Sequence, residues 1–357
     1  MQSLPKFPHN HKDFSTALHK NVNQYFKDKN TSKYANGAMI FKSIFHLSCW
    51  IGSYFLIILG GFDAATTYVL WAILGFFIAM VSVNIGHDAI HGAYSKNKTV
   101  NQLLSHTFNI NGASAYMWKK MHNVAHHTYT NVDGLDEDIE SGQIVRLAPK
   151  TPVRSMHKFQ HIYAFLLYGL ATFSWVYVKD YKKFFTNEVG NYTGKDHPKE
   201  EYFYLFFYKF INLVLFVIIP FTVIDLPWQD ILLGYLLMHY VAGTTLAMIF
   251  MLAHVIEEVH FLDPDEAGNM PNSRDVHQLY TTADFSNQSR LASFLTGGLN
   301  MQVEHHLFPH ICSIHYRDIA KIVRKTASEY DIPYYESSFL HAVGSHYRYL
   351  KKMGKRA

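Results

Sequence analysis

Three histidines lie within six residues in the stretch MWKKMHNVAHHTYTN, which runs from Met117 to Asn131. Neutral imidazole is the side chain that proteins use most often to bind transition metals. On an α-helix, residues four apart share a face, so His122 and His126 point at one site while His127 lies about 100° round the axis. This spacing suits two metal ions, or one ion and a neighbour, and it requires further ligands from elsewhere in the chain.

Further histidines come from three other motifs, HDAIH, MLAHVIEEVHF and QVEHH. Two of these motifs end long apolar stretches, where an ionisable side chain is costly unless it is paired or coordinated. The candidate ligands are His87, His91, His122, His126, His127, His254, His305 and His306. Eight imidazoles are too many for one metal ion and suit two. An all-nitrogen site favours iron or zinc, and zinc would imply hydrolysis, for which the apolar stretches have no evident purpose.

The composition is typical of a membrane protein with a polar cap. Aromatic residues make up 16% of the 357 residues and charged residues only 17%, a balance that favours membrane spans. Two cysteines without a CxxC motif argue against a disulfide framework or a zinc ribbon. Since no basic patch is interleaved with aromatic residues, no nucleic-acid partner is expected.

Four apolar stretches reach the ~20 residues needed to cross a bilayer. They cover residues 44–62, 64–85, 202–224 and 231–255, and short turns predict two helical hairpins, with a buried helix pair in a soluble protein as the alternative. A fifth stretch, 159–178, has lysines on both sides and is predicted to lie in the membrane interface. Lys96 and Lys98 follow the second span and indicate that this end faces the cytoplasm. We therefore predict an all-α, multi-pass integral membrane protein with four transmembrane helices and a cytosolic helical cap that holds the metal site.

An acidic run and a glycosylation sequon lie between the second and third spans. Acidic runs are usually solvated loops, but this one follows the first histidine cluster closely enough for its carboxylates to hold ligand N–H groups. The sequon at Asn191 is predicted to stay in the cytoplasm without a glycan. The acidic residues are Asp133, Asp136, Glu137, Asp138 and Glu140.

HDAIH, HNVAHH and QVEHH, in this order at the ends of membrane spans, resemble the three histidine boxes of the membrane fatty acid desaturase superfamily. The resemblance covers the chain from about Ala38 to Tyr316 and divides it into a polar cytosolic segment 1–37, a desaturase domain 38–316 and a cytosolic tail 317–357. The glutamine that opens the third box resembles the front-end, linoleoyl-CoA/delta-6-like subgroup. Those enzymes place a double bond between an existing one and the carboxyl end.

The resemblance implies a centre of two iron ions that uses O2 and two electrons to remove two hydrogens from an unactivated fatty acyl chain, carried by CoA or by a membrane lipid. The eight histidines would be its ligands, and Gln302 would lie near it, acting through water. Front-end desaturases often carry a fused cytochrome b5 domain, but the HPGG haem motif of that domain is not found in this sequence. A separate electron donor, ferredoxin or cytochrome b5, is therefore expected.

Two other functions fit the same residues. A di-iron hydroxylase or ketolase on this scaffold would share the ligands and differ only in the product. A metal transporter would be expected to spread its ligands along the membrane spans, whereas the predicted ligands cluster at one end of them.

Overall fold

The structure, a computed structural model, describes residues 4–139, 144–186, 188–189, 192–193 and 197–355. Within this part, most of the chain is helical. The helices are α1 (Lys12–Asp28), α2 (Gly37–Leu59), α3 (Ala64–Ile90), α4 (Lys98–Ile110), α5 (Ala115–Trp118), α6 (Lys119–His126), α7 (Ser155–Tyr168), α8 (Ala171–Phe184), α9 (Lys199–Val223), α10 (Trp228–His254), α11 (Arg274–Thr281), α12 (Arg290–Leu295), α13 (Gln302–Leu307), α14 (Tyr316–Glu329) and α15 (Phe339–Met353). Two short strand pairs complete it: β1 (Glu188–Val189) runs antiparallel to β2 (Tyr192–Thr193), and β3 (Ala283–Phe285) runs parallel to β4 (Tyr335–Ser337).

Four helices in the described part, α2, α3, α9 and α10, are long and apolar enough to cross a membrane. They contain 23, 27, 25 and 27 residues, against the ~20 that a bilayer requires. They include most of the four predicted stretches and extend beyond them, into the HDAIH motif in the case of α3. The structure thus confirms the prediction of a helical protein with four helices that are able to span a membrane.

The turn between α2 and α3 follows directly from its residues. Gly61 adopts a φ of 58°, in the left-handed region that suits glycine. Asp63 then caps α3, because its side chain accepts a hydrogen bond from the Thr66 backbone N–H at 2.8 Å. The two helices pack against each other along their length.

The closest approach among the spans is between α3 and α10, which belong to different predicted hairpins. A Cβ atom added to Gly75 on α3 would lie 2.2 Å from the Met238 carbonyl oxygen on α10. One added to Gly234 would lie 2.3 Å from the Trp71 ring. Small residues let membrane helices approach this closely, so α3 and α10 form the centre of the membrane part.

Replacing Gly75 with alanine should destabilise the protein by about 2–3 kcal/mol, since the new methyl group must push the α10 backbone away. We expect the melting temperature of the purified protein in detergent to fall by several degrees. Gly52 on α2 has nothing within 4 Å of an added Cβ, so Gly52→Ala is the matched control. An equal melting temperature for both variants would contradict this packing.

The predicted interfacial stretch is two helices and not one straight span. α7 and α8 meet at an angle of 71° at a short break. Both carry exposed apolar side chains, among them Leu166 and Val178. The bend is compatible with the predicted position in the membrane interface, which stays a prediction.

The polar ends of the chain pack around the third histidine motif. Phe14 and Leu18 of α1 are buried in the same core as Val303 and Leu307 of α13 and Val323 of α14. The N-terminal segment, although polar in composition, thus forms a helix with one buried apolar face. This core holds α13, and with it the QVEHH motif, against α1 and α14.

Candidate metal centre

The eight predicted ligands meet at the ends of α3 and α10, where α6 and α13 of the cap lie against them. His91 is partly buried and the other seven are buried. Seven of them fall into two groups of histidines, within each of which the possible ligand atoms lie within 4.8 Å of one another, and His122 and His126 form a further such group with Asp138. Group one is His87, His91, His122 and His305, and group two is His126, His254 and His306. Four elements far apart in sequence thus bring together all eight residues that the sequence predicted.

In group one, ring nitrogens from different helices come unusually close. The Nε2 atoms of His87 and His305 are 3.2 Å apart. The eighth histidine, His127, places its Nε2 atom 2.9 Å from that of His305 and 3.2 Å from that of His122. Nitrogen ligands at about 2.1 Å from one metal ion lie about 3 Å apart when they are adjacent. This spacing therefore fits a metal ion better than it fits ordinary core packing.

Group two is a regular triangle of imidazoles. The ring centroids of His126, His254 and His306 are 4.8 Å apart for every pair. All three Nε2 atoms are buried and have no hydrogen-bond partner among the residues that the structure describes. A buried polar atom without a partner is costly, and three that converge on one point are typical of a metal site. The ring of His127 stacks on that of His306 at 4.4 Å, so His127 lies between the two groups.

Each imidazole of group two is held from outside by its Nδ1 atom. Since every partner is an oxygen acceptor, Nδ1 carries the proton and the lone pair of Nε2 faces the centre of the group. The acceptors are Asp136 at 2.9 Å from His126, the Thr281 carbonyl at 3.4 Å from His254, and the Gln278 side chain at 2.8 Å from His306.

Group one has outer partners of the same kind. The Nδ1 atom of His122 lies 2.7 Å from Asp138, and that of His305 lies 3.2 Å from the Tyr316 hydroxyl. The indole of Trp118 stacks on His122 with ring centroids 4.1 Å apart and covers its outer face. Asp138 holds His122 from the side away from the group, so its carboxylate orients the ring.

The local shape of α6 changes the expected pairing of its histidines. The His127 N–H donates to the His122 carbonyl at 3.0 Å, five residues back, which is the wider π-type turn. His127 thereby reaches the site of His122 instead of lying about 100° away as on a regular helix. His122 and His126 lie close together, with their rings stacked at 5.0 Å and a ring nitrogen of each within 4.8 Å of the other and of an Asp138 carboxylate oxygen. That they serve one metal ion stays a prediction, because each of them also belongs to a different group of histidines.

Burial keeps most of these imidazoles neutral. It lowers the pKa of His122 to about 4 and the pKa values of His127, His305 and His306 well below the ordinary value. At His126 burial acts in the same direction, but the charges of Asp136 and Asp138 raise its pKa above the ordinary value. Neutral imidazoles with lone pairs facing inward suit a transition metal, and a carboxylate partner makes a histidine a stronger ligand.

The structure also locates Gln302 and most of the acidic run that the sequence singled out. Gln302 is fully buried, and neither polar atom of its side chain has a hydrogen-bond partner among the described residues. Of the acidic run, Asp136 and Glu137 are buried and Asp138 is partly buried, so the expectation of a solvated loop is wrong for these three. Asp136 and Asp138 hold the Nδ1 atoms of His126 and His122, which is the other role that the sequence offered for the run. Glu140 and the sequon residue Asn191 lie outside the described residues.

Sequence reasoning did not find the outer partners from distant elements. Gln278 and Thr281 lie on α11, and Tyr316 begins α14. Gln278 also accepts a hydrogen bond from Thr130 at 2.8 Å. Isolated polar residues such as these carry no spacing signal, and only the fold shows what they contact.

Comparisons with known proteins agree with this geometry. The family model described as fatty acid desaturase matches residues 64–338. The sn-1 linoleoyl-lipid 6-desaturase of Arthrospira platensis is 34% identical over 342 residues, which cover 95% of this chain and 92% of that protein. The protein of the same name from Synechocystis sp. is 32% identical and covers 96% of both chains. The acyl-lipid (8-3)-desaturase of Physcomitrium patens is 34% identical over 96% of this chain and 72% of its own length.

Proposed function

The chain belongs to the fatty acid desaturase family, and we propose that it is a front-end desaturase acting on unsaturated acyl chains of membrane lipids. The relatives named for their activity are acyl-lipid desaturases, and two of them are linoleoyl-lipid 6-desaturases. The observation that carries the proposal is the pair of histidine groups, in which the Nε2 atoms of group two converge with no hydrogen-bond partner in the described part of the chain.

In this proposal, groups one and two each hold one iron ion and His127 lies between them. Such a pair would supply the redox chemistry with O2 that removes two hydrogens from the acyl chain. Neighbouring residues orient and shield the proposed ligands. Asp136 and Asp138 fix the rings of His126 and His122, and Trp118 covers the outer face of His122. Gln302 is buried, and its amide has no hydrogen-bond partner within the described ranges; it is proposed to bind water beside the ions.

The direct test is lipid analysis of a host that lacks polyunsaturated fatty acids and expresses the full chain. With linoleate supplied, gas chromatography should show a product with one new double bond on the carboxyl side of the existing ones. A His306→Ala variant is the control for host activity. A hydroxylated product without a new double bond would contradict desaturation and support the hydroxylase alternative.

A small cavity between the membrane helices suggests where the acyl chain lies. It is bounded mainly by apolar side chains of α3, α8 and α10, including Ile78, Met238 and Ala242. Phe108 forms part of its wall and contacts Trp118, with ring centroids 5.4 Å apart. Since Trp118 stacks on His122, two aromatic rings, those of Phe108 and Trp118, separate the cavity from group one. We propose that the methyl end of the acyl chain enters this region.

Enlarging Ala242 to leucine should therefore shift the enzyme toward shorter acyl chains, because the added atoms occupy the cavity. We expect the ratio of 18-carbon to 16-carbon products to fall about tenfold, a change of about 1.4 kcal/mol in relative transition-state binding. Ala79→Leu overpacks a buried position of α3 outside the cavity and should lower both products equally. An equal ratio of 18-carbon to 16-carbon products in the two variants would argue against an acyl chain in this cavity.

The proposed centre lies on the cytoplasmic side of the membrane. Lys96 and Lys98 follow the end of α3 in the sequence and are exposed. Lysines beside a membrane span favour the cytoplasmic side. This side would make the centre accessible to a soluble electron donor. Protease protection of intact cells, with tags placed in the α2–α3 turn and at the C-terminus, measures the orientation.

A further inference from the structure

The turn that follows α6 contacts the support of every ligand in group two. Its residue Thr130 donates a hydrogen bond at 2.8 Å to the Gln278 side chain, which in turn holds His306. The next residue, Asn131, is fully buried and contacts the supports of the other two ligands. Asn131 is therefore the point at which these supports meet.

The side-chain amide of Asn131 binds the ends of two helices. The last carbonyl groups of a helix have no partner within that helix. Asn131 Nδ2 donates to the carbonyl of His254, the last residue of α10, at 2.8 Å and to that of Thr281, the last residue of α11, at 3.3 Å. The carbonyl of His260 lies 3.3 Å from the same nitrogen. Since all three neighbours are hydrogen-bond acceptors, the NH2 end of the amide faces them.

These contacts reach the ring of His254 as well as its backbone. The Thr281 carbonyl, to which Asn131 donates, also accepts the Nδ1–H of His254 at 3.4 Å. One amide thus contacts both the carbonyl of this proposed ligand and the atom that orients its imidazole.

The backbone of Asn131 makes the connection to His126. Its N–H donates to Asp136 at 2.8 Å, and the same carboxylate accepts the Nδ1–H of His126 at 2.9 Å. The φ of Asn131 is 55°, in the left-handed region that asparagine tolerates better than most side chains. One residue in this conformation joins His126, a ligand from the cap, to His254, a ligand from a membrane span.

We propose that Asn131 is the positioning residue of group two, which holds His254 and His126 in one metal-binding geometry. The inference rests on the proposed function, because it requires a metal ion in group two. The residues around a metal site must hold its ligands within about 0.5 Å of their binding positions. Since α10 belongs to the membrane part and α6 to the cap, a link between them beside the ion keeps their two ligands in register.

A role in the turn alone leads to a different expectation. Glycine adopts a positive φ without steric cost, so Asn131→Gly preserves the turn and removes the side-chain amide. If Asn131 served only the turn, this variant would bind metal as the wild type does. If the amide positions the ligands, the carbonyls of His254 and Thr281 lose their donor, and the end of α10 is no longer tied to the loop.

Stepwise removal of Fe²⁺ from the full chain in lipid nanodiscs tests the proposal. The anaerobic, iron-loaded protein is titrated with a chelator, and elemental analysis measures the iron that stays bound, without turnover. The variants are Asn131→Gly, Asn30→Gly, His306→Ala, and Asn131→Gly combined with His306→Ala. Asn30 is the matched control, because it is an exposed asparagine with a φ of 46° in the turn after α1.

We expect Asn131→Gly to release one ion at about tenfold lower chelator concentration, as the loss of an outer partner of a metal ligand does. The other ion should stay bound as firmly as in the wild type, which also shows that the variant is folded. Asn30→Gly should match the wild type. His306→Ala already removes a ligand of group two, so adding Asn131→Gly should not change how firmly the remaining ion is held.

Three results would overturn the proposal. Two ions held as firmly as in the wild type would leave Asn131 a role in the turn only, and equal weakening of both ions would indicate a general effect on folding. Weaker binding of the remaining ion in the His306→Ala background would place the effect outside group two. A wild type that binds no iron would overturn the proposed function as well, whereas normal iron binding without a new double bond in the lipids would contradict the proposed function alone.

Discussion

Replacing His126 with alanine should abolish desaturation and lower the iron content of the purified protein from about two ions per chain to about one. His126 is one of only three imidazoles in group two, and two remaining nitrogens hold an ion far less firmly. Group one does not depend on this side chain, so it should keep its ion. Lipid analysis of the host and elemental analysis of the protein measure the two effects, with product expected below about 1% of wild type.

His341→Ala is the control for this experiment. His341 is an exposed histidine that pairs with Glu258 at 3.0 Å, and it lies in neither group. Its loss should leave both iron content and product unchanged. Two ions retained in the His126 variant would mean that the groups are not separate sites, and full activity with one ion would contradict a two-metal centre.

The histidines could be predicted from the sequence because metal ligands must recur at fixed spacings on the elements that carry them. His87 and His91 are one helical turn apart at the end of an apolar span, and His305 and His306 are adjacent in a polar segment. These patterns identify residues, but they do not say which ones share an ion. That assignment depends on the wide turn that joins His122 to His127, and a wide turn has no reliable sequence signal.

For the membrane helices, too, the sequence predicts the elements but not how they pack. Hydropathy identifies α2, α3, α9 and α10, since a helix in lipid must be apolar along its length. It does not predict that α3 packs most closely on α10, because that contact depends on Gly75 lying opposite Met238. A glycine within an apolar run has many possible partners, and only the assembled helices show which one it meets.

The acidic loop illustrates a signal that was present but ambiguous. Five carboxylates in eight residues are typical of a solvated loop, and nothing in their spacing singles out Asp136. In the structure, Asp136 accepts hydrogen bonds from His126, from the Asn131 N–H at 2.8 Å and from the Asp138 N–H at 2.9 Å. It therefore fixes both a proposed ligand and the loop that places Asp138 against His122.

Asp136→Asn should lower the affinity for iron about 10- to 100-fold and lower desaturation with it, even though no proposed ligand is removed. The carboxylate accepts hydrogen bonds from three N–H groups. An amide has only one acceptor oxygen, so it cannot replace all three bonds. Loss of its negative charge also makes His126 a weaker base. Iron retention during titration with a chelator measures the affinity, and activity is followed with iron in excess.

Asp133→Asn is the matched control. Asp133 lies in the same loop, and among the described residues its carboxylate accepts a hydrogen bond only from the Lys150 N–H, at 3.1 Å. It should leave iron affinity unchanged. If excess iron restores the activity of the Asp136 variant, the carboxylate acts by holding His126 in its binding orientation. If both variants lose iron equally, the effect belongs to the charge of the loop, and Asp136 has no special part in orienting His126.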